Sequence, residues 1–94
     1  MKPRKTKEIS SQLLKKGFMS EKRDHTFFYL YYKNKKTSIY TKLSHSIKEY
    51  SDNLLSQMAK QLSLSNSELE DFIDCPLSYD KFISILLKQN KIQV

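Results

Sequence analysis

A single glycine, two prolines and one cysteine in 94 residues exclude several kinds of protein at once. With one glycine there is no Gly-rich loop to cradle phosphates, so nucleotide-triphosphate motifs are absent. Scarce glycine and proline, beside 38% hydrophobic and 29% charged residues, rule out collagen-like and flexible low-complexity chains. The apolar residues are too regularly placed for general disorder. Cys75 has no partner for an internal disulfide, so the core has to hold by packing alone, which suits a reducing compartment. No apolar run nears the roughly 18–20 residues of a membrane span, and Met1 to Lys7 leads into no apolar signal core. A cytoplasmic protein without a membrane partner is expected, folded as one domain over residues 1–94.

What is present in excess is positive charge. The net charge of +7 favours a polyanionic partner such as nucleic acid. It is unevenly placed: residues 1–48 carry 13 Lys and Arg against three acids, net +10, and residues 49–94 carry four Lys against seven acids, net −3. A polyanion-facing surface therefore belongs to the first half.

The local patterns give an α+β chain. After a basic, frayed start, Thr6 is placed to cap a helix with Ile9, Leu13 and Leu14 inward. Gly17 reads as its left-handed C′ residue, with Phe18 folding back on Leu13 and Lys15 and Lys16 facing the negative end of the helix. Residues 24–32 and 37–43 read as strands joined by a hairpin connection over 33–36, with Asn34 the residue for positive φ. Phe18 to Lys22 supplies a third, more weakly signalled strand of an antiparallel meander. A helix capped by Ser51 or Asp52 turns Leu54, Leu55, Met58, Ala59 and Leu62 inward. A capping box, Ser65 to Glu68, opens a helix burying Leu69, Phe72 and Ile73; Pro76 breaks the chain; Ser78 starts a last helix burying Phe82, Ile83, Leu86 and Leu87. The order is α-β-β-β-α with two further helices, and the helices cover one face of a three-stranded antiparallel sheet.

Alternation in the aromatic strand sends Phe28 and Leu30 to the core and leaves His25, Phe27, Tyr29 and Tyr31 on the accessible face. A histidine there, beside Arg23 and Asp24, suits proton transfer from a ribose 2′-OH, with lysines stabilising charge on the phosphate; such chemistry needs no cofactor. Two histidines, with Cys75 30 residues beyond His45, do not make a zinc site, so no metal is expected. His45 and Ser46 read as shaping the entry to the following helix. The aromatic face fits stacked single-stranded bases, and equally fits a protein partner.

Lys16-Gly17-Phe18, then Arg23-Asp24-His25-Thr26-Phe27-Phe28, then Ser38-Ile39-Tyr40-Thr41 with Ser44-His45-Ser46, resemble the small HicA-type toxins of toxin–antitoxin systems. The resemblance implies a double-stranded-RNA-binding-domain-like fold over residues 6–62, with residues 65–90 as a helical extension. It implies an mRNA interferase neutralised by a HicB-type antitoxin, with His25 in the catalytic position and His45 in an accessory one. Arg23-Asp24 stands where that family has Gly-Ser, and Lys42 or Leu43 near where it has a proline. Asp24 is placed either to orient and charge-stabilise His25 or to repel the phosphate. The expected phosphate-binding residues are Arg23, Lys33, Lys35, Lys36 and Lys42. A fold of this type without catalysis, or a protein-docking domain using the aromatic face, are the alternatives.

Overall fold

Gly17 is where the first helix gives way to the sheet. In the computed structural model, which describes residues 1–74 and 76–93, Gly17 has φ +89° just beyond α1 (Thr6–Lys15). Glycine takes that φ without a Cβ clash. Its carbonyl accepts the Tyr31 N–H at 2.9 Å, which ties the turn directly to the sheet. β2 (Phe18–Lys22), β3 (Thr26–Tyr32) and β4 (Lys35–Leu43) then form an antiparallel sheet in the order β2-β3-β4. The ring partners of Phe18 lie far along the chain: it stacks on Phe82 at 5.9 Å and meets Phe72 edge-on at 6.2 Å.

The start of the chain is not frayed. β1 (Arg4–Lys5) pairs antiparallel with β5 (Glu49–Tyr50), a two-stranded sheet that nothing in the sequence announces. This pairing holds Lys5 extended at the N-cap position, so Thr6 is the first helical residue and not the cap. Its hydroxyl donates to the Ile47 carbonyl at 2.7 Å and its N–H to that of Lys48 at 2.9 Å. Ile9 and Leu13 are buried as their four-residue spacing requires, but Leu14, one step of about 100° further round, is 51% exposed.

The hairpin is tighter than the sequence suggested. Lys33 and Asn34 both have positive φ, 51° and 64°, the signature of a two-residue turn whose twist matches its strands, so Lys35 and Lys36 belong to β4. Between Tyr29 and Tyr31 the β3–β4 register shifts, from Tyr29 opposite Tyr40 to Tyr31 opposite Lys36. Here the Thr37 hydroxyl donates to the Leu30 carbonyl at 2.8 Å and accepts the Ile39 N–H at 3.2 Å. The shift amounts to two residues, so the inward and outward sets of β4 keep their faces.

The helices follow the sequence closely. Ser51 is the N-cap of α2 (Asp52–Gln61), which buries Leu55, Met58 and Ala59 while Leu54 stays half-buried. The capping box of α3 (Asn66–Asp74) is reciprocal, Glu68 N–H to Ser65 Oγ at 3.1 Å and Ser65 N–H to Glu68 Oε1 at 2.8 Å. Ser78 caps α4 (Tyr79–Lys88), accepting from Lys81 N at 3.2 Å; Leu87 is only partly buried. Cys75, read from the sequence as an unpaired thiol, lies outside the described residues. Phe18, Phe28, Leu30, Ile39 and Leu43 from one sheet face join the inward residues of all four helices in one buried cluster. Lys16 is buried with them at 5% exposure. Its ammonium lies over the Phe72 ring and donates to the Phe72 carbonyl, in the last turn of a helix that has no basic residue of its own there. Among the described residues no helix is long and apolar enough to cross a membrane.

Candidate nucleic-acid interface

With the helices gathered on one side, the other face of the β2-β3-β4 sheet is bare among the described residues. Phe27 and Tyr29 from β3 and Tyr40 from β4 stand there as a stacked group. Ring centroids are 5.7–6.3 Å apart and interplanar angles 14–29°. Tyr40 is 46% exposed and Met19, on the same face of β2, 57%. Two cations lie on the rings: Arg23 over Phe27 at 5.2 Å and Lys36 over Tyr29 at 3.8 Å. Glu21 bridges them, accepting from Lys36 at 3.0 Å and from Arg23 at 2.9 Å. These bonds, that from Lys36 first, hold the Glu21 carboxyl below its ordinary value, and Glu21 in turn raises Arg23. The platform is thus already partly neutralised by its own carboxylate.

His25 does not open the strand; it lies in the β2–β3 turn one residue before it. The turn is closed by the Arg23 N–H donating to the His25 carbonyl at 2.8 Å. That bond draws residues 23–25 into the turn, which explains why the strand begins two residues later than the aromatic run. The ring is half-buried, and its Nδ1 is buried without a hydrogen-bond partner. The Asp24 carboxylate accepts the backbone N–H of His25 at 2.9 Å, so it shapes the turn and makes no bond to the imidazole. His45 Nε2 meets the Thr26 hydroxyl at 2.7 Å. Thr26 belongs to the inward set of β3, so its bond to His45 lies on the inward side of the sheet end, while His25 sits in the turn before the strand, outside the pleat.

The expected phosphate-binding lysines do not converge on His25. Lys42 stands opposite Phe27, near it, but Lys33 and Lys35 lie at the far end of β3, roughly 20 Å away at 3.3 Å per residue. There they line a recess of about 560 Å³ with Asn90, Lys91 and Ile92. Lys36 starts from that end and reaches back along the face to Tyr29 and Glu21.

The sequence reading missed a cleft of about 810 Å³ on the helical side of the sheet end. α1 forms one wall and the 44–48 loop the other. Thr6 binds the carbonyls of Ile47 and Lys48, and the Tyr50 hydroxyl accepts from Ser44 N at 3.0 Å and donates to Lys42 O at 3.4 Å. Lys5, Lys7, Lys22 and Lys48 line it against one acid, Glu49, with His45 at its edge. The surplus of lysine in residues 1–48 was visible, but only the β1–β5 pairing brings Lys5, Lys7 and Lys48 together. Among the described residues no group of three His, Cys, Asp or Glu side chains could hold a metal ion.

No family model matches this chain, and no match was found among curated proteins or solved structures.

Proposed function

We propose that this chain is a HicA-like RNA-binding protein that takes unpaired RNA on its bare sheet face and cleaves it at the edge of that face without a metal. The observation that carries the reading is the stacked group Phe27, Tyr29 and Tyr40 with Arg23 and Lys36 laid on its rings. Rings presented to solvent and flanked by cations are what single-stranded bases and their phosphates require. The order α1-β2-β3-β4-α2, with the helical core on one side of the sheet, supports the double-stranded-RNA-binding-domain-like assignment of residues 6–62. His25, in the turn beside Arg23, is the candidate acid or base, and a HicB-like antitoxin is the expected inhibitor.

Two measurements test this. Tyr29→Ala should weaken binding of a single-stranded RNA by roughly 5–150-fold, the range of about 1–3 kcal/mol per stacked base. His25→Ala should retain binding and lose both RNA cleavage and growth arrest. A His25→Ala variant as toxic as the parent would end the catalytic part of the proposal.

The environment of His25 favours a second reading, a binding module of this fold that does not cut. Its buried Nδ1 is unpartnered and the Asp24 carboxylate is spent on the backbone, so no second group orients the imidazole among the described residues. That version predicts salt-sensitive RNA binding and no cleavage products at any protein concentration.

A further inference from the structure

Four lysines that form no ion pair among the described residues gather in the cleft between α1 and the 44–48 loop. On the open face Arg23 and Lys36 share Glu21. None of Lys5, Lys7, Lys22 and Lys48 forms an ion pair among the described residues, and one glutamate faces all four. The cleft's polar lining is hydroxylic, with Ser10, Ser20 and Ser44 beside the lysines, over an apolar floor of Leu14, Phe28, Leu43 and Ile47. Lysine ammoniums and serine hydroxyls are the side chains that contact phosphate and sugar oxygens in nucleic-acid complexes. An apolar floor suits a ribose or a base edge.

The cleft is continuous with the open face through the β2–β3 turn. Lys22, the last residue of β2, lines the cleft, while Arg23, the next residue, lies over Phe27 on the other side. Thr26 bonds His45 at the cleft edge, while the next residue, Phe27, belongs to the aromatic group. A strand leaving the aromatic face past His25 therefore meets Lys22 first and then the remaining lysines.

We infer that this cleft is a second RNA contact, holding backbone phosphates of a strand that crosses the β2–β3 end of the sheet. The inference rests on the RNA-binding reading above and extends it to the opposite face. The lysines act as point charges, so they bind phosphates of any sequence and supply affinity without base selectivity. His45, which the sequence reading treated as shaping a helix entry, becomes a contact at the cleft rim, held in place by Thr26.

The test compares the full chain with a Lys7→Gln, Lys22→Gln, Lys48→Gln triple variant and with a Tyr29→Ala, Tyr40→Ala double variant. Binding of a 12-nucleotide single-stranded RNA is measured between 50 and 200 mM salt. The three lysines are exposed, and an unchanged circular dichroism spectrum and melting temperature show that the triple variant folds. The triple variant should reduce the slope of log affinity against log salt by about 2, at about 0.7 per lost phosphate contact on a single strand. The double tyrosine variant should lower affinity with the slope unchanged. An unchanged slope in the triple variant, beside weakened binding in the tyrosine variant, overturns the cleft inference and leaves the open-face reading standing. A reduced slope with unaffected tyrosine variants does the reverse. No RNA binding by the parent at 50 mM salt ends both. Triple substitution that abolishes binding of a poly-glutamate peptide but spares RNA also overturns the inference, in favour of an acidic protein partner.

Discussion

Replacing Gly17 by alanine perturbs two structures with one methyl group. At φ +89° an L-residue is strained whatever space surrounds it, a cost of about 1–2 kcal/mol. The added Cβ would also lie 2.3 Å from Cε1 and 2.7 Å from Cδ1 of Tyr79, at the start of α4. The ring has to move by about an ångström to reach van der Waals distance. That movement endangers the bond from the Tyr79 hydroxyl to the Tyr31 carbonyl at 3.1 Å, worth about 1 kcal/mol. Together these give a destabilisation of about 2–4 kcal/mol, from a total of about 5–15 kcal/mol for a domain. At about 4–8 °C per kcal/mol for a chain of this size, the melting temperature should fall by roughly 8–32 °C. Urea unfolding followed by circular dichroism measures the difference, and a double-mutant cycle separates its parts. In a Tyr79→Ala background the clash is gone, and Gly17→Ala should cost only the backbone strain of about 1–2 kcal/mol. Equal costs in the two backgrounds would refute the contact; a cost below about 0.5 kcal/mol in the parent would refute the strain as well.

Three further outcomes are expected. Glu21→Gln releases Arg23 and Lys36 from their shared carboxylate, so RNA should bind several-fold tighter with a steeper salt dependence; weaker binding would show that Glu21 positions the platform. Arg4 binds both oxygens of Asp74 and holds its carboxyl below the ordinary value of 3.8, so the pair's contribution is present above that pH and is lost as pH falls through the lower value in the folded state. Asp74 is half exposed, which limits the effect to under about 1 kcal/mol, and the stability gap between the parent and Asp74→Asn should close as pH falls through the lowered carboxyl value in acid titrations. Ser65→Ala removes one arm of the capping box and should cost about 1 kcal/mol in chemical denaturation, with no effect on RNA binding.

The sequence was most readable where one residue decides a local structure. Gly17, Ser65 with Glu68, and Ser78 mark their helix ends, and alternation from Thr26 to Tyr32 sorts core from surface, because each is a short-range effect. The β1–β5 pairing was not readable: two residues on each side, 45 apart in the chain, leave no periodic trace. From that omission followed the misplaced cap at Thr6 and the unseen cleft. Lys33 at positive φ has no compositional signal, and missing it made the hairpin connection two residues too long. Lys16 read as a cation at the negative end of its own helix, because nothing nearby in sequence shows that Phe72 would offer it a carbonyl. The candidate site was legible as a list of residues but not as a place. Strand direction puts Lys33 and Lys35 at one end and His25 at the other, and the β2–β3 turn holds His25 while the Thr26 hydroxyl holds His45.

The contact of Phe18 with Phe72 and Phe82 also bears on how the chain reaches its folded form. The first residue of the sheet finds its ring partners 54 and 64 positions later, so packing this corner closes a long loop and requires nearly the whole chain. During synthesis, the meander and α1 emerge well before α3 and α4 can cover them. The surface that Phe18 contributes is fully covered only once α4 is in place, and until then the sheet that carries the aromatic platform lacks part of its core.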